Sequence, residues 1–383
     1  MRAGETGSRS RARDDFWMDQ ALALARRGQG AVSPNPMVGA VLVRDNRVLA
    51  EGYHRIYGGD HAEVYALRRA GNTVRGATLY TNLEPCAHQG KTPPCAVALR
   101  EAGIRRAVVA VRDADPRVQG GGLRLLRRAG IQVELGLRAK AARALNEPYL
   151  IRMGQGRPLV ILKAGSSLDG RIAGRGGHSR WITSVESRRR GRVWRERVDA
   201  ILVGGGTARF DNPLLTVRNS GRPARRQPLR VVLIGREGLN ADARLLQDTA
   251  GAVLIYTSAG FGERRRVLER AGAEVVEVPG EKQRPGVSHV LTDLGRRGVA
   301  SVLVEGGGEV AWSFLHNGLV DHLIWYISPM IIGGGGVPVV GGPGVPRPAA
   351  GIRLQDLRLK RIGPDLEIRA RPAGKRSRRR LES

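Results

Sequence analysis

GDHAEVYAL (residues 59–67) and NLEPCAHQGKTPPCAVAL (residues 82–99) are the two stretches on which the reading of this chain turns. Each leads from a loop into a helical pattern, and the strand-like ATLYTNL (77–83) joins them, so the unit is α/β. Together they bring His61, Glu63, Cys86 and Cys95 to the starts of helices. One imidazole and two thiolates make a three-ligand set for Zn²⁺ that leaves a fourth position for water, as catalytic zinc sites do. Helix N-termini favour the thiolate over the thiol. Glu63, two residues past His61, completes an H-x-E in which a carboxylate proton shuttle stands beside the metal. Taken singly, each residue has a plainer reading. Asp60-x-x-Glu63 also suits a capping box, His61 suits a surface position, and Cys86 and Cys95 suit buried core thiols. H-A-E followed by P-C and a second P-C points jointly to zinc-dependent deamination.

Outward from this centre, DDFWMDQALALARRG reads as an amphipathic helix, and AVLVRD and RVLAEGYH as strands. DHAEVYALRRAG is a helix with Gly71 as its stop signal. TPPCAVALREAG is a helix with Thr92 as N-cap and Pro93 in its first turn. AVVAVRD, GGLRLLRRAG and IQVELG continue strand, helix, strand, and AKAARALNEPYLIRM is a helix stopped near Pro148. The stretch MGQGRP (153–158) marks the junction. Beyond it, strands are expected at VDAILVG, LRVVLIG, AVLIYTS, AEVVEV, ASVLVEG and DHLIWYIS, with helices near 184–197, 262–272, 286–298 and 309–317. The expected organisation is a disordered basic N-terminus (1–13), a deaminase domain (14–152), a second α/β domain (153–372) and a disordered basic tail (373–383).

The second half holds glycine clusters in KAGSSLDGRIA (163–173), VGGGTARFDNPLLTVR (203–218) and LVEGGGEVAWSFL (303–315). Glycines before a helix let a phosphate approach backbone N–H groups. None is the G-x-G-x-x-G dinucleotide fingerprint, and each alone also reads as a plain tight turn.

The chain has 383 residues, 41% hydrophobic and 26% charged, which suits two soluble globular domains. Its 64 Lys+Arg against 35 Asp+Glu give a net charge of +29. Such a surplus attracts polyanions. The arginines are spread over the whole chain and aromatics are 4%, so the charge reads as a general compositional bias rather than a dedicated nucleic-acid stripe. Two cysteines make no disulfide framework. The N-terminus lacks an apolar core segment, and no apolar run of about 18 residues occurs. A cytoplasmic enzyme with a small-molecule substrate, no specific nucleic-acid partner and no membrane association is expected; association into homo-oligomers stays open.

The eight residues between Cys86 and Cys95, ending in TPPC, depart from the P-C-x-x-C of nucleic-acid deaminases. With SPNPMVGAVLV (33–43) and EGYHRIYGGDHAE (51–63), they resemble the deaminase domain of the bifunctional riboflavin biosynthesis enzymes. The second half, with SRWITS (179–184) and the glycine clusters, resembles the reductase domain of the same family over about residues 158–370. The resemblance implies an N-terminal cytidine-deaminase-like α/β/α sandwich and a C-terminal dihydrofolate-reductase-like α/β domain. It implies one Zn²⁺ per deaminase domain and NADPH as cofactors. The implied reactions are hydrolytic deamination of 2,5-diamino-6-(5-phosphoribosylamino)pyrimidin-4(3H)-one, then reduction of the ribosyl to a ribityl chain.

By the same resemblance, Asn35 contacts the pyrimidine, and His54 and His88 line its pocket; turn or surface roles remain open for these three. Gly165, Trp181, Thr207, Asp211, Gly235, Gly307, Gly308, Glu309, Val310, Ala311, Trp312 and Ser313 fall at cofactor positions. Ser179, Arg195, Leu215, Arg218 and Glu305 fall at substrate positions, with Arg195 and Arg218 suited to clamp a 5′-phosphate. Lys163 and Asp169 suit support of the ribose end. Ile234–Gly235 departs from the Asp and Ser/Thr often found there, and Arg236 is the nearest substitute contact for a 2′-phosphate. A deaminase of RNA bases and a degenerate basic scaffold are the rival readings.

Overall fold

The computed structural model describes residues 3–87, 94–217, 226–258, 260 and 262–374. Contacts divide the chain into two compact units, Met1–Gly156 and Arg157–Ser383. The division falls inside the MGQGRP stretch.

The first unit runs α1 (Ala3–Arg26), β1 (Gly39–Arg44), β2 (Arg47–Tyr53), α2 (Ala62–Ala70), β3 (Thr78–Thr81), α3 (Cys95–Glu101), β4 (Arg106–Val109), α4 (Gly121–Arg128), β5 (Gln132–Leu135), α5 (Ala139–Leu145) and α6 (Glu147–Gln155). Its sheet has the order β2-β1-β3-β4-β5. The β1 strand is antiparallel to both neighbours, while β3, β4 and β5 are parallel. Two glycines let helices reach the sheet backbone on opposite faces. A Cβ on Gly39 would stand 2.1 Å from the Ala21 carbonyl of α1, and one on Gly52 2.3 Å from the Ala62 carbonyl of α2. Ala40 pairs with Gly52, so Gly39 and Gly52 face opposite ways. The result is the α/β/α sandwich. Met18, Leu22, Leu42, Leu79, Leu99 and Leu126 fill its core.

Two expectations are corrected here. Helix α1 begins at Ala3, so the segment expected to be disordered continues the helix. Asp14 is buried and held by the Tyr80 hydroxyl (2.5 Å) and by Arg106 (2.7 and 2.9 Å), which anchors the helix at that point. Extension of an existing helix is far easier than its nucleation, and no proline interrupts 3–13. Pro148 does not stop a helix. It sits in the first turn of α6, where its missing N–H leaves no bond unmade, and α5 ends before it at Leu145.

The second unit runs β6 (Leu159–Ser167), β7 (Arg171–Ala173), α7 (Val185–Val193), β8 (Ala200–Gly204), α8 (Gly205–Asp211), β9 (Leu229–Leu233), α9 (Arg244–Gln247), β10 (Val253–Thr257), α10 (Gly262–Arg270), β11 (Glu274–Glu277), β12 (Gly280–Glu281), β13 (Arg284–Pro285), α11 (Val287–Arg296), β14 (Ser301–Val304), α12 (Gly308–His316), β15 (His322–Ser328), β16 (Val337–Pro338), β17 (Leu354–Ile362) and β18 (Asp365–Pro372). Nine strands form one sheet in the order β11-β10-β9-β8-β14-β6-β15-β18-β17. The first seven are mutually parallel, and β18 and β17 close one edge antiparallel. All the strands and helices expected in this half between 184 and 328 form. The glycine-rich 203–211 stretch, read as a turn, is instead the short helix α8. Burial of Ala208 offsets the poor helix propensity of its glycines. The β17–β18 hairpin had no counterpart among the expected elements. Residues 375–383 of the basic tail lie outside the described residues, as do Thr92 and Pro93. Among the described residues no helix is long and apolar enough to cross a membrane.

Candidate active sites

His61 is the N-cap of α2, and its side chain caps nothing there, so the imidazole is free to turn toward the cysteines. Cys95 opens α3, and Cys86 lies in the loop after β3. His61 Nδ1 is 3.1 Å from Cys95 Sγ and 3.6 Å from Cys86 Sγ. All three donor atoms fall within 4.8 Å of one another. A tetrahedron on Zn–S and Zn–N bonds of about 2.0–2.3 Å has edges of roughly 3.5 Å, so this donor set fits zinc in element type, number and spacing. The Cys86 thiol is held far below its ordinary range, first by the hydrogen bond with Cys95 and then by His61, at about 4. The pair therefore keeps a thiolate ready for a cation.

Glu63 lies in the first turn of α2, 3% exposed, and burial pushes its carboxyl up to about 7. That is a value suited to taking and returning a proton near neutrality. The capping box that its spacing also suits does not form: Asp60 is paired with Arg68 instead. His54 is buried beside the cluster, its ring 5.7 Å from that of His61. Its Nδ1 meets the Asp60 carbonyl at 2.9 Å and its Nε2 meets Asn35 Nδ2 at 3.2 Å. Asn35 and His54 thus stand together at the cluster, and His88 lies outside the described residues.

Three buried polar residues escaped the reading from sequence. Glu84 accepts the backbone N–H groups of Asp113, Gly120 and Leu123 at 3.2, 3.0 and 3.2 Å, tying the Cys86 loop to the start of α4. Asn82 accepts from Gly39 N at 2.8 Å and donates to the Met37 carbonyl at 2.9 Å. Asn146 accepts from Met37 N at 2.8 Å and donates to the same carbonyl at 2.9 Å. These bonds fix the segment that carries Asn35. The available signal was the polar pair Asn82 and Glu84 within an apolar strand end directly before Cys86.

In the second unit Thr207, Glu305, Gly307 and Gly308 follow the carboxyl ends of the parallel strands β8 and β14, where open α/β sheets bind ligands. Glu305 follows β14 and lies half-buried between two cations. Lys163 Nζ on β6 is 3.3 Å from its Oε1, and Arg195 Nη2 is 2.6 Å from its Oε2. Burial pushes the Glu305 carboxyl up, but Lys163 and Arg195 outweigh it and hold the group at about 2. Arg195 also donates Nε to Glu305 at 3.2 Å and Nη1 to the Thr216 carbonyl at 3.3 Å. Its forked face is therefore turned on Glu305 rather than standing open for a phosphate. Arg218 lies outside the described residues.

Gly165 lies under SRWITS, a Cβ there meeting Thr183 at 3.1 Å. Ser179 donates to Asp211 at 2.8 Å, and exposed Trp181 carries the Arg188 guanidinium 4.2 Å above its ring. Leu215 is buried with φ 54°. Thr207 Oγ1 comes within 3.6 Å of where a Gly307 Cβ would be. Gly307 caps α12. Past Gly308, the side chains mainly secure the helix. Glu309 accepts from Arg284 (2.9 Å) and from Gly342 N (3.0 Å), Val310 packs on Gly204 and Gly306, and Ala311 is buried. Trp312 stacks on His316, and Ser313 donates to the Glu309 carbonyl at 2.9 Å. Gly235 sits beside the Gln283 carbonyl, Ile234 is fully buried, and Arg236 is exposed. Asp169 is taken up by Ser167 (2.6 Å) and the backbone N–H groups of Ile332 and Gly333 (3.1 and 2.7 Å).

A His-Cys-Cys set with a buried glutamate beside it, followed by a parallel sheet with glycine turns at its carboxyl ends, defines a zinc-dependent deaminase joined to a nucleotide-using reductase. The model of the cytidine and deoxycytidylate deaminase zinc-binding region matches residues 11–111, and that of the RibD C-terminal domain matches residues 158–368. The chain is 41% identical to the riboflavin biosynthesis protein RibD of Bacillus amyloliquefaciens, over 94% of this chain and 96% of that one. It is 37% identical to RibD of Escherichia coli, over 92% and 98%. The solved structure of Acinetobacter baumannii RibD superposes with a TM-score of 0.86 at 36% identity, covering 95% of this chain and all of that one. A Thermotoga maritima diaminohydroxyphosphoribosylaminopyrimidine deaminase/5-amino-6-(5-phosphoribosylamino)uracil reductase gives 0.81 at 33% identity with the same coverage. The chain belongs to the RibD family: it is a bifunctional deaminase and reductase of riboflavin biosynthesis, with zinc in the deaminase and NADPH for the reductase.

Proposed function

We propose that the unit ending at Gly156 deaminates 2,5-diamino-6-(5-phosphoribosylamino)pyrimidin-4(3H)-one, and that the unit from Arg157 reduces the ribosyl group of the product to ribityl. The Thermotoga relative carries both activities in its name. The observation that carries the first half is Glu63 buried beside a His-Cys-Cys donor set. His61, Cys86 and Cys95 hold the zinc, which when bound acts as a Lewis acid and acidifies water. Glu63 takes a proton at its carboxylate and returns it to the departing amine nitrogen, for which a carboxyl poised at about 7 is suited. Asn35, oriented by His54 (3.2 Å), binds the pyrimidine edge.

In the reductase, bound NADPH supplies the hydride. Gly307 and Gly308 at the start of α12 let its phosphates approach backbone N–H groups, with Gly165 and Thr207 as further contacts. Ser179 and Asp211 act as one hydrogen-bonded pair at the SRWITS segment. Glu305 stays ionised between Lys163 and Arg195 and orients the ribose hydroxyls. A cytoplasmic location and a free small-molecule substrate complete the reading.

Glu63→Gln tests the proton role. Zinc measured by atomic absorption stays at one per chain, while ammonia release falls by about 10²–10⁴-fold. Turnover retained in that variant rules Glu63 out as the shuttle.

A further inference from the structure

Neither reaction uses most of the surplus of +29. On the first unit part of it is organised into one surface array. Arg27, just past α1, has its guanidinium carbon 5.1 Å from the ring centre of Tyr53 at the end of β2. Arg55 lies 5.4 Å from that ring and 4.0 Å from the ring of Tyr65 on α2, and also donates to the Tyr65 hydroxyl. Arg69, one helical turn further, lies 6.0 Å from the Tyr65 ring. The sequence of contacts is Arg27–Tyr53–Arg55–Tyr65–Arg69, an unbroken alternation of cation and ring contributed by separate segments. All three arginines are exposed. Among the described residues none of the three forms an ion pair, and the neighbouring Asp60 is taken by Arg68.

Ring faces hold guanidiniums in place without neutralising them. A surface that fixes three cations and leaves each without a counter-ion calls for an anion. The exposed guanidiniums held over the rings are flat, and call for an anion that carries planar groups. Single-stranded nucleic acid supplies both, with phosphates for the charge and unstacked bases for the faces. A duplex hides its base faces, and reading it takes an element that enters a groove. We propose that this ladder is a binding surface for single-stranded nucleic acid without sequence preference.

The test uses the full zinc-loaded chain and a 5′-fluorescein 20-nucleotide oligouridylate, with anisotropy read between 50 and 200 mM salt. Saturable binding is expected. The R27Q/R55Q/R69Q variant weakens it at least about 30-fold and flattens the plot of log affinity against log salt by about 2, at roughly 0.7 per lost phosphate contact. Y53L/Y65L weakens binding about fivefold or more with the slope unchanged. The charge-preserving R27K/R55K/R69K variant keeps the slope and loses affinity, which covers the case in which the glutamine variant fails to fold. Zinc content and melting temperature report folding in each. R264Q/R265Q/R266Q on α10 removes the same charge elsewhere and changes affinity less than threefold. Three results overturn the proposal: no binding at 50 mM salt, equal weakening by the α10 and ladder variants, and a stronger dependence on the ladder for phosphatidylserine vesicles or duplex RNA than for the single strand.

Discussion

The two candidate sites handle a carboxylate in opposite ways. Glu63 is buried and pushed up to about 7, whereas Glu305, half-buried between cations, is held at about 2. The difference lies in their neighbours. Around Glu63 the close groups are thiols and an imidazole, and burial dominates. Around Glu305 stand Lys163 and Arg195, and their charge outweighs burial. A carboxyl near neutrality is fit to carry a proton; one fixed as an anion is fit to orient. Environment alone sets the two roles apart.

The largest effect that sharpens this contrast is loss of a thiolate. Cys86→Ser takes zinc, by atomic absorption, well below one per chain and abolishes ammonia release, while NADPH oxidation with the deaminated substrate continues. Full zinc occupancy in that variant removes Cys86 from the ligand set. Next is Lys163→Met, which leaves half-buried Glu305 with Arg195 as its one cation. Breaking one side of a fully buried pair costs about 3–5 kcal/mol; with Lys163 and Arg195 partly exposed the cost here is smaller, read as a lower urea midpoint of the second unit's transition together with loss of reductase activity. An unchanged midpoint denies the cluster its structural weight.

A third effect is pH-dependent. The folded-state value of Glu305 lies below its ordinary 4.5, so its contribution is complete above about 4.5 and is lost as pH falls through about 2. A depression of this size is worth about 3 kcal/mol. Urea midpoints of the wild type should therefore fall more steeply between pH 4.5 and 2.5 than those of Glu305→Gln; parallel curves contradict the ionised cluster. The smallest effect is Tyr80→Phe. It removes one hydrogen bond to Asp14 while Arg106 still pairs that carboxylate, and costs about 1 kcal/mol in denaturant unfolding.

The same contrast governs how much was legible in the sequence. The zinc set lies between His61 and Cys95, with His61 and Cys95 at helix starts and Cys86 in the loop after β3, so one short stretch of sequence holds all its members. Lys163 and Glu305 lie far apart along the chain and meet because β6 and β14 are neighbours in a parallel sheet, and Arg195 joins them from the turn before β8. No local pattern records that adjacency, so Arg195 read as a free phosphate clamp although its fork is spent on Glu305. Strands of the second unit were legible because fully buried parallel strands read as continuous apolar runs. Helix α8 was not, because its glycines argue against a helix that tertiary packing imposes. Asn82, Glu84 and Asn146 act through backbone partners that sequence spacing does not reveal.

Both activities meet in one assay. Purified zinc-loaded chain receives the diaminopyrimidine ribosyl phosphate and NADPH, with ammonia and NADPH followed in separate channels. Ammonia release should precede NADPH oxidation, the two should reach equal final amounts, and Glu63→Gln should silence both with this substrate while leaving NADPH oxidation intact with the deaminated one. NADPH consumption without ammonia release, or ammonia release with no NADPH consumption at all, contradicts the account of one chain carrying both reactions in that order.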